Sequence, residues 1–159
     1  MKITLICVGK LKEKYLTQGV EEYTKRLSRY CTLEIMELAD EKTPDHAGAA
    51  LEDIIKNKEG ERILKFLKED SYCIALAIEG HMLSSEELAD KIDTLGITGI
   101  SHISFIIGGS LGLSTEVLKR ADYKLSFSKM TFPHQLMRMI LLEQIYRSYR
   151  IMNNQPYHK

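Results

Sequence analysis

Apolar residues recur along this chain in two rhythms that alternate from one end to the other. Residues 2–8 are a nearly continuous apolar run closed by Gly9, which predicts a buried strand. Residues 14–30 carry Tyr15, Leu16, Val20, Tyr23 and Leu27 at helical spacing. Leu33, Ile35 and Leu38 mark a second strand over 32–38, and Pro44 lies in a loop over 39–47. Residues 48–69 read as helical through Leu51, Ile54, Ile55, Ile63, Leu64 and Leu67, with Gly60 expected to interrupt that helix or to end a first one. Residues 72–79 form another continuous run, closed by Gly80, and apolarity without alternation predicts a strand covered on both faces. Ser84, Ser85, Glu86 and Glu87 open a helix that stops at Gly96. A strand follows over 102–107, then a short helix capped by Ser114, a last strand over 123–127, a loop over 128–133, and a long helix from His134 to about Met152.

This order predicts one α/β domain over 1–159, with a mostly parallel sheet and helices on both faces. In open sheets of this kind ligands bind beyond the carboxyl ends of the strands. Three loops leave such ends, at 79–84, 108–114 and 128–134. The second holds Gly108, Gly109 and Gly112, which let the backbone approach a ligand without a Cβ in the way, although a plain tight turn also asks for glycine. No Gly-Lys-Ser/Thr follows, so the loop is not a P-loop, and its spacing is not that of a dinucleotide fingerprint. In the third loop Pro133 fixes the backbone at the start of the next helix. Its exposed backbone groups suit an adenine edge, with Met130 and Phe132 either flanking the ring or packing in the core.

The last helix is apolar nearly all round, through Leu136, Met137, Met139, Ile140, Leu141, Leu142 and Ile145, and such a helix is expected to be buried. It also carries Arg138, Glu143, Arg147 and Arg150. Glu143 and Arg147 are spaced to pair, and Arg138 shares a face with His134 one turn earlier. Arginines on a buried helix indicate internal salt bridges, a dimer interface or an anionic ligand. In the short tail, Tyr157 offers a ring to stack on a base and His158 an imidazole to exchange a proton, although so short an end is also read as frayed.

Composition adds less. The 159 residues are 44% hydrophobic and 28% charged, as in ordinary globular proteins. The net charge of zero hides an asymmetry: from Lys119 onward eight basic residues face two acids, leaving +6 there and −6 on the remainder. That suggests a polyanion partner, or merely a solvated face. Cys7, Cys31 and Cys73 lie far apart with no C-x-x-C pair, which predicts buried free thiols and no metal site. No stretch approaches the ~18 apolar residues that cross a bilayer, and no secretory pattern opens the chain, so a cytoplasmic protein without a membrane role is expected.

The segment Phe105-Ile-Ile-Gly-Gly-Ser-Leu-Gly-Leu-Ser114 is similar to the glycine loop of the SPOUT methyltransferases. Phe132-Pro-His-Gln-Leu-Met-Arg138, Glu143-Gln-Ile-Tyr-Arg147 and Pro156-Tyr-His-Lys159 resemble one subfamily within them, the ribosomal RNA large subunit methyltransferase H family, and the resemblance runs the length of the chain. It implies a SPOUT fold with a C-terminal trefoil knot. It also implies a homodimer that moves a methyl group from S-adenosylmethionine to nitrogen 3 of a pseudouridine in 23S ribosomal RNA of the assembled ribosome. Carried over by motif, the cofactor would be held by Leu76, Gly80, Gly108, Gly109, Gly112, Phe127, Ser128, Lys129, Met130, Thr131 and Phe132. His134, Arg138, Tyr157 and His158 would face the target base. The imide proton must leave, with His158 the first candidate base, His134 the second and direct loss to water the third, while Arg138 would steady the anion. A related knotted methyltransferase acting on transfer RNA or another ribosomal site, and a non-catalytic nucleotide- or RNA-binding protein, remain as alternatives.

Overall fold

The computed structural model describes residues 1–159 as ten elements. In chain order they are β1 (Lys2–Val8), α1 (Lys14–Leu27), β2 (Thr32–Leu38), α2 (Ala49–Phe66), β3 (Tyr72–Met82), α3 (Ser85–Ile97), β4 (His102–Ile107), α4 (Thr115–Arg120), β5 (Tyr123–Ser126) and α5 (His134–Met152). The strands form one sheet in the order β2-β1-β4-β3-β5, and every neighbouring pair is parallel. The α/β architecture predicted from the alternating rhythms is therefore present, with the sheet wholly parallel.

The continuous apolarity of β1 has a direct cause in this arrangement, because successive side chains point to opposite faces. Ile3, Leu5 and Cys7 pack with Val20, Leu27, Leu88, Ile92, Leu141 and Ile145, so α1, α3 and α5 cover one face. Ile6 and Val8 pack with Ile63 and Val117, so α2 and α4 cover the other. Helix α5 lies between α1 and α3. No helix is long and apolar enough to cross a membrane.

Local signals set the helix starts. The Ser84 hydroxyl accepts from the Glu87 N–H at 3.1 Å while the Glu87 carboxylate accepts from the Ser84 N–H at 2.6 Å, a capping box that opens α3. Ser114 caps α4 in the same way, accepting from Val117 N at 3.3 Å.

Three expectations shift. Helix α2 runs through Gly60 without a break, because the missing Cβ leaves room for the Ser114 hydroxyl to press against the helix. Contact with α4 outweighs the ~1 kcal/mol that glycine costs a helix interior. Strand β3 passes Gly80 and reaches Met82, with a register shift against β5 between Leu76 and His81. A Cβ on Gly80 would lie 2.7 Å from the carbonyl carbon of Lys124 on β5, so the bulge closes only around glycine. Helix α5 buries Met137, Leu141, Leu142, Ile145 and Tyr149, yet Leu136, Met139 and Ile140 are only half-buried. The all-round apolarity of that helix is not fully covered within one chain.

Gly80→Ala has to push β3 from β5 at the backbone. Urea denaturation is expected to show a loss of about 1–3 kcal/mol, the usual penalty of overpacking.

Candidate active site

The carboxyl ends of β3, β4 and β5 open into one cleft of about 780 Å³, within the usual range for small-molecule sites. It is lined by residues 107–113 at and after the end of β4, by the stretch 76–79 of β3, and by residues of the 125–134 segment. Two of the three loops singled out in the sequence thus meet around one space.

The glycine loop is held tightly. Gly112 has φ +86°, a conformation that L side chains rarely adopt, and its N–H donates to Gly109 O at 3.1 Å. A Cβ on Gly108 would lie 2.8 Å from the Gly112 carbonyl carbon. Behind Gly109 stands Glu59 of α2, 4% exposed, whose carboxylate accepts from the Glu41 N–H at 3.1 Å. Burial pushes the Glu59 carboxyl up, and nearby Asp40 adds to that. The second loop is ordered by Ser128, whose hydroxyl accepts from Met130 N at 3.0 Å and whose carbonyl accepts from the Ser126 hydroxyl at 3.1 Å. Met130, 73% exposed, and Phe132, 37% exposed, are walls of the cleft rather than core.

Of the residues implied for the cofactor, Leu76, Gly108, Gly109, Gly112, Phe127, Ser128, Met130, Thr131 and Phe132 line this cleft, whereas Gly80 and Lys129 do not. Gly80 lies in the bulge between β3 and β5. Sequence reasoning missed Lys56 and Glu79, which line it too. No group of three His, Cys, Asp or Glu side chains is placed to hold a metal ion.

The four side chains implied for the target base separate into three places. His134 opens α5 and lines the cleft, and its Nδ1 is buried without a hydrogen-bond partner. Burial, with the Arg138 charge second, lowers its pKa below the ordinary 6.5. Arg138 does not line the cleft. Only 1% exposed, it donates to Glu37 Oε2 at 2.7 Å, to Gly9 O at 2.7 Å and to Val8 O at 3.2 Å. Its guanidinium therefore fastens α5 to the carboxyl ends of β1 and β2.

Tyr157 and His158 lie on the far half of α5. The Tyr157 hydroxyl donates to Glu143 Oε1 at 3.1 Å, and the Arg147 guanidinium stacks 4.6 Å from the Tyr157 ring centre. Arg147 also holds Glu143 at 2.6 Å, the pairing read from their spacing. Burial, reinforced by the Glu143 bond, pushes the Tyr157 hydroxyl up to about 12. His158 sits between Arg147, 3.2 Å from Nδ1, and Glu86, 2.7 Å from Nε2. An arginine has no acceptor, so Nδ1 accepts and the ring proton lies on Nε2, facing Glu86. Arg147 stands thirteen positions after His134, roughly 20 Å along the helix axis at 1.5 Å per residue. No residue of the tail lines the cleft.

The family model described as "Predicted SPOUT methyltransferase" matches residues 1–158, and the chain belongs to that family. Its curated relatives include proteins of Bifidobacterium adolescentis, 67% identical, Alkaliphilus oremlandii, 65% identical, and Clostridium kluyveri, 64% identical, each matched over all of both chains. All three bear the name Ribosomal RNA large subunit methyltransferase H, and full-length identity at this level places the chain within the methyltransferase H family.

Arg138→Ala leaves the Val8 and Gly9 carbonyls without their donor. Chemical denaturation is expected to show a loss of about 1–3 kcal/mol, the penalty of leaving buried acceptors unpaired. For His134, nuclear magnetic resonance titration is expected to give a midpoint below 6.5. The unfolded chain then binds the proton more tightly, so stability falls as pH drops below 6.5. His134→Gln is expected to flatten that fall.

Proposed function

We propose that this methyltransferase transfers a methyl group from S-adenosylmethionine to nitrogen 3 of a pseudouridine in 23S ribosomal RNA. The observation that carries the reading is the convergence of the glycine loop and the 126–133 loop on one cleft. The fit is physical. Gly108 and Gly112 offer a stretch of lining free of side chains, and Leu76, Phe127 and Phe132 offer apolar surface to a nucleoside ring. The backbone of 127–132 supplies donors and acceptors at the rim. The names of the relatives support ribosomal RNA as the substrate.

Bound there, S-adenosylmethionine supplies an electrophilic methyl group on a sulfonium. The chain's own task is position, and fixing two reactants in line accounts for roughly 7–11 kcal/mol of such a barrier. His134 is the imidazole at the cleft, and its neutral form leaves it able to take the imide proton of the base. Arg138 is a positioning residue, holding the first turn of α5 and with it His134 against β1. No tail residue of the same chain lines the cleft. A homodimer, with the half-buried Leu136, Met139 and Ile140 covered by a second copy, would bring that copy's Tyr157 and His158 to this cleft. Recognition of the RNA would then rest on two chains and on the assembled ribosome, in the cytoplasm.

The test is mass spectrometry of ribosomal RNA after incubating ribosomes with the protein and isotope-labelled S-adenosylmethionine. Label on a 23S pseudouridine is expected; label on transfer RNA alone, or none, overturns the reading. His134→Ala and His158→Ala are each expected to slow turnover by about 10²-fold or more. Mixing the two defective proteins should restore part of the activity if each cleft takes its tail from the other copy.

A further inference from the structure

One face of α2 is turned toward the glycine loop. Glu59 lies behind Gly109, and Gly60 lies against Ser114. Lys56 precedes them by about one turn, so it rises on the same face beside the loop. It lines the cleft, and it is the one Lys or Arg that does so. Its sole ion pair is with Asp53 at 3.4 Å, three positions earlier, on a carboxylate 69% exposed. Such a surface pair contributes between about 0 and 1 kcal/mol and leaves the ammonium free to turn.

The loop beside it is also short of acceptors. Neither Ser110 nor Leu111 donates its backbone N–H to any backbone carbonyl. Two N–H groups without a backbone partner, in a glycine-rich turn, and an ammonium line one cleft, a combination suited to an anion. The sheet order fixes its place in the cleft. The β4 loop stands at one end, β3 passes beneath, and the β5 loop with Phe127 and Phe132 stands at the other. A ligand laid across with its ring against the β5 loop directs its far end toward Lys56.

Resting on the reading of the cleft as an S-adenosyl site, we propose that Lys56 binds the α-carboxylate at the amino-acid end of the ligand, with the Ser110 and Leu111 N–H groups. A long flexible stem bearing a point charge suits a single carboxylate at the end of a mobile chain. The 127–132 loop then selects the nucleoside, and α2 selects the amino acid.

The test is calorimetric binding of two thioethers, which lack the sulfonium charge, to the full-length protein. S-adenosylhomocysteine and 5′-methylthioadenosine share the nucleoside and the sulfur, and only the first has the amino-acid end. Lys56→Met is expected to weaken S-adenosylhomocysteine about tenfold, the effect of one charge-assisted hydrogen bond, and to leave methylthioadenosine within about twofold. Lys56→Arg should recover most of the loss. Equal weakening of both compounds would mean that Lys56 only shapes the groove, and no weakening of either would mean that it plays no part; both overturn the proposal while leaving the S-adenosyl reading intact. Wild-type protein that binds neither compound overturns that reading and the proposal with it.

Discussion

A guanidinium removed from water has to be neutralised and hydrogen-bonded from within the protein, and Arg138 is the largest fully buried side chain here. Its partners come from two strands and the residue that follows one of them: Glu37 on β2, Val8 on β1, and Gly9 just beyond β1. A strand's last carbonyls have no further ladder partner, and here the arginine satisfies two of them. The same Glu37 carboxylate oxygen accepts from Leu11 N at 2.9 Å, which ties down the turn leading into α1. One buried cation thus fixes where β1 ends, how α1 departs and where α5 begins. His134 is the first residue of α5, so its place at the cleft depends on that junction. Part of the geometry of the site is set by a residue that does not touch it.

Much of this was legible along the chain. Strands and helices follow from runs and spacings that depend only on neighbours in sequence, and the two caps at Ser84 and Ser114 lie within three residues of the N–H groups they receive. What was illegible depends on contacts between distant segments. Gly60 and Gly80 look like breaks until Ser114 and Lys124 are seen against them. Arg138 looks like a ligand for an anion until Glu37, 101 positions away, is seen to hold it. Glycine positions and loop residues announced the cleft, because a ligand that approaches backbone leaves a mark on composition. Lys56 left none, since nothing in the sequence says which face of α2 meets the loop.

The charge asymmetry also changes meaning. Of the eight basic residues from Lys119 onward, four arginines are engaged inside the chain. Arg120 meets Asp122 and the carbonyls of Lys68 and Ser71; Arg138 meets Glu37; Arg147 meets Glu143; Arg150 meets Tyr30, Gln155 and the Pro156 carbonyl. These arginines hold the C-terminal half together. Asp122 and Glu143 are already counted in the +6 and Arg150 meets only neutral groups, so Glu37 alone lowers the local charge, to about +5.

Arg147, Glu143 and Glu86 hold Tyr157 and His158 in a defined place rather than leaving a frayed end. The place they define is beside Glu143 and Glu86, and neither of those residues lines the cleft. Side chains able to stack on a base and to move a proton are of little use there to their own chain. They are of use to another chain packed along α5, where Leu136, Met139 and Ile140 are still only half covered. In the homodimer proposed above, a second helix running the other way would bring the tail of one copy to the cleft of the other. The second copy would then be part of the site, and two chains would grip the RNA where one has no separate binding domain.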